Sequence, residues 1–132
     1  MTAEEVIKLP TFTSGECKLQ AFNRYNKGKY FQVMLDKKTW DIKTQKPERY
    51  YLVYNFDKVE ASLTSPDFIF FDFRYNSLVY YKKLDKILIR PNIIVPFRKT
   101  YFAVIVMRNK IMTIYPTDKM MNRGVILWQK AG

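Results

Sequence analysis

Residues 110–128, KIMTIYPTDKMMNRGVILW, carry side chains whose types and spacing suit chemistry on a phosphodiester. Thr113 offers a hydroxyl, Tyr115 a phenol, and Lys119 and Arg123 two cations. The spacing predicts that these four side chains lie near one end of a sheet, within reach of one another. Such a set is suited to binding a phosphodiester and to cleaving it. The alternative is a basic strand end that contacts only solvent.

The elements that would position these side chains are a strand over 110–115, a turn, and a last strand over 125–128. Pro116 cannot donate to a strand ladder, so it is predicted to end the first strand. Gly124 allows the chain to turn before the last strand. The alternation of a strand predicts two faces, one with Ile111, Thr113 and Tyr115 and the other with Met112 and Ile114.

The rest of the chain predicts a single domain over residues 1–132 with one or two helices followed by an antiparallel sheet, which is an α+β fold. Residues 1–28 are predicted to be an irregular arm. The predicted elements are a strand over 30–35, a helix over 47–64, hairpins over 67–83 and 101–115, and an edge strand or linking arm over 86–97. The predicted core comprises Trp40, Val53, Leu63, Ile69, Val79, Val104, Val106, Ile114 and Leu127.

The formal net charge of +11 is large for 132 residues and unevenly distributed. Residues 1–66 carry 11 basic and 8 acidic side chains, whereas residues 67–132 carry 12 and 4. Such a field attracts polyanions, so nucleic acid is the expected partner. An anionic membrane surface is the lesser alternative, because no stretch pairs a basic face with a long apolar helical face, and no membrane partner is predicted.

Cysteine and histidine usage exclude several kinds of site. Cys17 is the only cysteine and the chain has no histidine, so neither a zinc site nor a histidine-activated thiol is expected. The 4 glycines form no phosphate-binding loop, and no suitable set of carboxylates follows Asp67 for a metal-dependent nuclease. No cofactor or metal is predicted. The start, MTAEEVIKLP, lacks the apolar core of a signal peptide, and the chain is predicted to be cytoplasmic.

Four segments in order resemble a known family: LDKKTWD at 35–41, KPERYY at 46–51, VEASLTSPDFIFFDFRYNSLVYYKKL at 59–84 and AVIVMRNKIMTIYPTDKMMNRGVILW at 103–128. Together they resemble the phage-type branch of the small RNases named for barnase, EndoU, colicins and RelE (the BECR superfamily). The resemblance covers residues 30–128. It implies N-terminal helices packed on a four- to five-stranded antiparallel sheet, and a toxin or effector that cuts RNA without metal.

One departure from the family concerns proton transfer. The family often has a His-Pro-Glu triplet at the start of its helix, where this chain has Lys46-Pro47-Glu48. Histidine is the side chain whose ordinary pKa suits proton transfer at neutral pH. Cleavage by attack of the 2′-OH would therefore use lysine, arginine and tyrosine, as RelE-like relatives do. Without such chemistry the domain would bind RNA and leave it intact.

The predicted catalytic residues follow from these roles: Lys119, Tyr115, Arg123, Thr113 and Lys46. Lys119 or Lys46 would act as acid, or as base if neighbouring cations lowered its pKa. The predicted nucleic-acid-binding residues are Arg98, Lys99, Arg74, Tyr81 and Lys82. Arg98 and Arg123 would clamp a phosphate, and Tyr81 would stack a base or donate a proton. For Arg74 and Lys82 the alternative is a solvated charge on a strand or turn.

Two other functions remain open from the sequence. Basic strands with exposed aromatic rings also suit a non-catalytic nucleic-acid-binding domain. A basic protein-interaction subunit is the third possibility, with an acidic partner covering its charge. If the chain is a toxin, the family resemblance implies an acidic antitoxin or immunity protein as that partner.

Overall fold

The computed structural model describes residues 7–25, 29–120 and 124–131, and these form mainly strands. Two α-helices and one 3-10 helix interrupt the order of the strands. The elements are β1 (Glu16–Phe22), β2 (Tyr30–Asp36), α1 (Lys37–Thr44), the 3-10 helix Pro47–Tyr54, α2 (Phe56–Thr64), β3 (Phe68–Asp72), β4 (Ser77–Lys83), β5 (Lys86–Arg90), β6 (Ile93–Pro96), β7 (Tyr101–Met107), β8 (Lys110–Thr117) and β9 (Val125–Gln129).

Seven strands form one curled, half-barrel sheet in the order β1-β2-β8-β7-β4-β3-β9. Neighbouring strands are antiparallel except β2 and β8, which meet in parallel where Met34 pairs with Lys110. The curl brings the two edge strands together. As a result, the centres of the Phe22 ring in β1 and the Trp128 ring in β9 lie 4.7 Å apart. Strands β5 and β6 form a separate hairpin.

The prediction of helices packed on a four- to five-stranded sheet is wrong, because the sheet has seven strands and the three helical segments are short. The largest error lies in residues 1–28, where β1 replaces part of the predicted irregular arm. In β1 the buried Cys17, Leu19 and Ala21 alternate with exposed Lys18 and Gln20. This period of two is the ordinary signal of a half-buried strand, and it was readable from the sequence.

The predicted helix over 47–64 is divided at Asn55, which is fully buried. Its amide Nδ2 donates to the carbonyl oxygens of Tyr51 (2.8 Å) and Leu88 (2.7 Å), and the Leu88 N–H donates to its Oδ1 at 3.0 Å. The side chain thus bonds to β5 as well as to the preceding helical turn. An amide held from both sides fixes the backbone outside the helical region at this point, with φ −128°.

Both predicted β-hairpins are present in the sheet. The β7–β8 turn has Arg108 and Asn109 with φ of 53° and 61°, as a two-residue turn that follows the strand twist requires. Asn76 has φ 53° in the turn between β3 and β4. The prediction that Pro116 ends its strand is wrong, since β8 continues to Thr117. Because β2 pairs with β8 only at Lys110, a proline farther along β8 is tolerated as on an edge strand.

The main core lies inside the curl of the sheet and is covered by the helical segments. Trp40, Leu52, Phe56, Val59 and Leu63 pack there against residues of the inner sheet face. Of the predicted core residues, seven are confirmed as buried: Trp40, Leu63, Ile69, Val79, Val104, Val106 and Ile114. Val53 and Leu127 are only half-buried, so those two predictions are wrong.

Because of two tyrosines in this core, the free energy of unfolding is expected to depend on pH in the alkaline range. Burial raises the pKa of Tyr51 to about 12 and also raises the pKa of Tyr80, whose hydroxyl donates to the Phe22 carbonyl at 3.0 Å. Both phenols titrate near 10 in the unfolded chain, so unfolding releases protons above that pH. We expect the free energy of unfolding to fall between about pH 10 and pH 12. Urea titrations of the Tyr51→Phe/Tyr80→Phe variant should show a shallower decline, and an equal decline would refute this assignment.

Candidate nucleic-acid interface

A β-bulge in β8 determines which of its side chains face outwards. Ile105 of β7 pairs with Thr113, whereas the next residue, Val106, pairs with Ile111, so Met112 is the extra residue. As a result Ile111 and Ile114 both enter the main core, and Thr113 and Tyr115 lie on the outer face. The prediction that Ile111 shares a face with Thr113 and Tyr115 is therefore wrong. A bulge shifts the alternation by one residue.

A second apolar cluster covers the outer face of the sheet beside Tyr115. Its buried members are Phe70, Val79, Tyr81 and Ala103, and half-buried Tyr115 packs against them. Tyr81 has 0% of its surface exposed, with its ring 5.3 Å from that of Phe70. It cannot reach a base, so its predicted stacking role is wrong. Sheet alternation could not reveal this, because both faces of β4 are covered.

The four side chains of the predicted catalytic set are only partly brought together. Thr113 and Tyr115 are neighbours on the outer face, about 7 Å apart along β8. Lys119 is exposed beyond the strand, where its N–H donates to Thr117 Oγ1 at 3.2 Å. Within the described residues no hydrogen bond or ion pair joins the Lys119 side chain to β8. Arg123 lies outside the described residues.

Three neighbouring cations lie in α1, just before the 3-10 helix and within it, and we call Lys43, Lys46 and Arg49 the cation cluster. Arg49 places this cluster at the open edge of β8. Arg49 Nη1 donates to the Ile114 carbonyl at 3.3 Å, and its guanidinium carbon lies 5.9 Å from the centre of the Tyr115 ring. The Arg49 N–H donates to the Lys46 carbonyl at 2.9 Å, so these residues share one turn. The cluster therefore adjoins the outer face of β8.

The electrostatics of the cation cluster show that its charges act on one another. Partial burial, followed by repulsion from Lys46 and Arg49, lowers the pKa of Lys43 below that of an ordinary lysine. The ion pairs of the described residues join Lys8 to Glu60, Lys37 to Asp41 and Lys58 to Asp57. None of them neutralises the cluster, and Glu48 of the same helical segment is exposed. An anion bound here would relieve the repulsion.

The sequence prediction included Lys46 but missed its two partners. Lys43, Lys46 and Arg49 recur every third residue, with Lys43 in α1, Lys46 extended just before the 3-10 helix and Arg49 within it. That periodicity was available from the sequence. Their proximity to β8 was not, because the hydrogen bond from Arg49 to Ile114 joins residues 65 positions apart.

The other predicted nucleic-acid-binding residues are divided between two ends of the sheet. Arg98 and Lys99 are exposed just before β7 begins, whereas Arg74 is exposed in the turn that precedes β4. Since β4 and β7 are antiparallel, these sites lie at opposite ends of the pair. Lys82 is half-buried, and its ammonium donates to the Ser65 carbonyl at 2.8 Å. The five predicted residues do not form one patch.

Comparisons of the chain with protein-family models, curated proteins and solved structures found no match. The resemblance to the BECR superfamily stays a prediction. Among the described residues, no helix is both long and apolar enough to cross a membrane.

Proposed function

We propose that the chain binds single-stranded nucleic acid along the outer face of β8, with RNA as the expected ligand. The observation that carries this proposal is the cation cluster beside Tyr115, at an open strand edge and without an ion-pair partner among the described residues. Phosphates would contact Lys43, Lys46 and Arg49. The strand would then continue over Tyr115 and Thr113.

The combination of basic and aromatic side chains on this surface favours a single strand over a duplex as the ligand. Proteins that bind single strands combine a basic surface that follows the backbone with aromatic rings on which bases stack. Here the basic residues border a strand whose outer side chains include a phenol ring, and Tyr50 is exposed in the same helical segment as Arg49. The overall charge of +11 adds a long-range attraction for any polyanion, which local contacts then direct to one site.

Metal-independent RNA cleavage is the second candidate function. The observation that favours it is the position of Lys43 beside Lys46 and Arg49, where burial first and the two cations second lower its pKa. An amine in this position more readily becomes neutral and accepts a proton from the 2′-OH. Arg49 would stabilise the charge that develops on phosphorus, and Tyr115 would lie beside it. Lys46 and Lys119 are the lysines proposed to protonate the leaving oxygen.

The binding test compares two variants with the same change in net charge. Lys43→Gln/Lys46→Gln/Arg49→Gln removes the cation cluster, whereas Lys18→Gln/Lys86→Gln/Arg90→Gln removes three exposed cations elsewhere. For a fluorescein-labelled single-stranded RNA, we expect the first variant to bind about tenfold or more weakly at moderate salt. The slope of log K against log salt should fall by about 2, because single strands contribute about 0.7 per phosphate contact. The control should change both quantities much less.

The same experiment distinguishes the alternatives. Equal weakening in both variants would show that only net charge matters, and no binding by the parent would refute the proposal. A single-stranded DNA arm and a duplex arm report the preference among nucleic acids. Denaturing gels of the RNA incubated with EDTA test cleavage. Cleavage by the parent and the control variant, lost in the cluster variant and in Lys119→Ala, would establish the ribonuclease function.

A further inference from the structure

A groove of about 200 Å³ opens on the outer face of the sheet, at the end where the β3–β4 and β7–β8 turns lie. It adjoins the proposed binding surface, because Thr113 lines the groove and Tyr115 is the next outward-facing residue of β8. The walls are almost entirely apolar. The lining residues are Tyr75, Ser77, Ile105, Met107, Met112 and Thr113.

Ser77 is the unusual member of this lining. Only 3% of its surface is exposed, and its hydroxyl has no hydrogen-bond partner in the described part of the chain. It lies on the outer side of β4, since Leu78 next to it packs in the main core. Buried polar groups are nearly always paired, because an unpaired one costs about 1–3 kcal/mol. A buried hydroxyl at an apolar groove, without a partner among the described residues, can pair with the polar edge of a ligand.

The shape and chemistry of the groove suit a planar ring. Tyr75 and Met112 are both large side chains with about half of their surface exposed. Aromatic and methionine side chains are the surfaces on which a flat π-system packs. The hydroxyls of Ser77 and Thr113 can each donate and accept, so they match either kind of group on a ring edge.

Basic side chains lie in or next to the two turns beside the groove. Arg74 belongs to the β3–β4 turn, with its guanidinium carbon 5.4 Å from the centre of the Tyr75 ring. Arg108 lies in the β7–β8 turn and Lys110 follows it. The two turns are adjacent because Leu78 of β4 pairs with Val106 of β7. Asp72 is the neighbouring carboxylate. It is buried and accepts the Arg74 N–H at 2.9 Å, so it organises the turn.

We propose that this groove is a nucleobase subsite, in which one base of a single strand packs against Tyr75 and Met112 with its polar edge on Ser77 and Thr113. The inference rests on the proposed function and adds a specific pocket to it. The strand would enter over the turn cations and continue along β8 to the cation cluster. Binding here would then depend on bases, whereas binding at the cluster depends on phosphates.

The test uses two labelled oligonucleotides of equal length, one of single-stranded RNA and one whose residues are all abasic. The parent should bind the RNA at least fivefold more tightly than the abasic strand, since stacking of a base contributes about 1–3 kcal/mol. Tyr75→Ala should weaken binding of the RNA and leave binding of the abasic strand unchanged. Tyr25→Ala, which removes another exposed ring, should not weaken binding of the RNA.

Ser77→Ala separates a ligand-binding role from a structural one. Removing an unpaired hydroxyl should leave the urea midpoint unchanged or raise it, while RNA binding weakens about two- to tenfold at an unchanged salt slope. Equal affinity for the two oligonucleotides would overturn the subsite even if the cation cluster variant loses binding. Salt-sensitive binding that Tyr75→Ala and Ser77→Ala leave intact would overturn it as well. Self-association of the chain that Tyr75→Ala abolishes, without base-dependent binding, would instead assign the groove to a second copy.

Discussion

Asn55→Ala is expected to lower the free energy of unfolding by about 3–5 kcal/mol. The substitution deprives three backbone groups of their partner: the carbonyl oxygens of Tyr51 and Leu88, and the N–H of Leu88. Each buried group left without a hydrogen bond costs about 1–3 kcal/mol. Since small domains are stable by about 5–15 kcal/mol, this single change removes a large fraction of the total.

Urea unfolding followed by circular dichroism measures this loss. Ser62→Ala is a suitable control, because Ser62 is also fully buried but bonds only to the Lys58 carbonyl within its own helix. It should cost about 1 kcal/mol or less. If the two substitutions cost the same, the buried amide does not hold the helical segments to β5. The result matters for function because the 3-10 helix that Asn55 ends also carries Arg49.

Gly124→Ala is expected to be comparably damaging, by about 3 kcal/mol or more, because two unfavourable effects combine at this position. Gly124 has φ +123°, a backbone conformation that residues with a side chain rarely adopt. A Cβ there would lie 2.3 Å from the Phe71 carbonyl oxygen. Relief of the clash requires β9 to move away from β3, where Val125 pairs with Phe71. We expect β9 to lose its pairing with the sheet.

Gly15→Ala separates the two effects. Gly15 also has positive φ, +80°, but no atom lies within 4 Å of its added Cβ, so only backbone strain of about 1 kcal/mol applies. The free energies of unfolding of the two variants, measured by urea titration, should differ by the cost of the clash. Tryptophan fluorescence should report displacement of β9 in Gly124→Ala, because Trp128 packs on Phe22. Equal costs for the two glycines would contradict the close contact with Phe71.

Local chemistry in the sequence determined the hairpins, most of the core and the excess of positive charge. Arg108-Asn109 and Asn76 lie between alternating apolar strands, and a turn of this kind depends only on adjacent residues. The three-residue spacing of Lys43, Lys46 and Arg49 is equally local. Even for β1, which the prediction missed, residues 16–22 show the alternation of apolar and polar side chains that is typical of a strand.

Only the tertiary structure decided which of these residues meet. The order of the strands places β1 and β9 at edges that curl together, and residues far apart in sequence set that order. The bulge at Met112 depends on the register with β7, and it alone determines that Ile111 faces inwards while Thr113 faces the groove. Tyr81 is buried because apolar side chains of the neighbouring strands pack around it on the outer face. Arg49 reaches Ile114 and Tyr115 because β2 pairs with β8 only at Lys110. Strand pairing and side-chain packing are long-range interactions, so patterns within a few residues do not contain them.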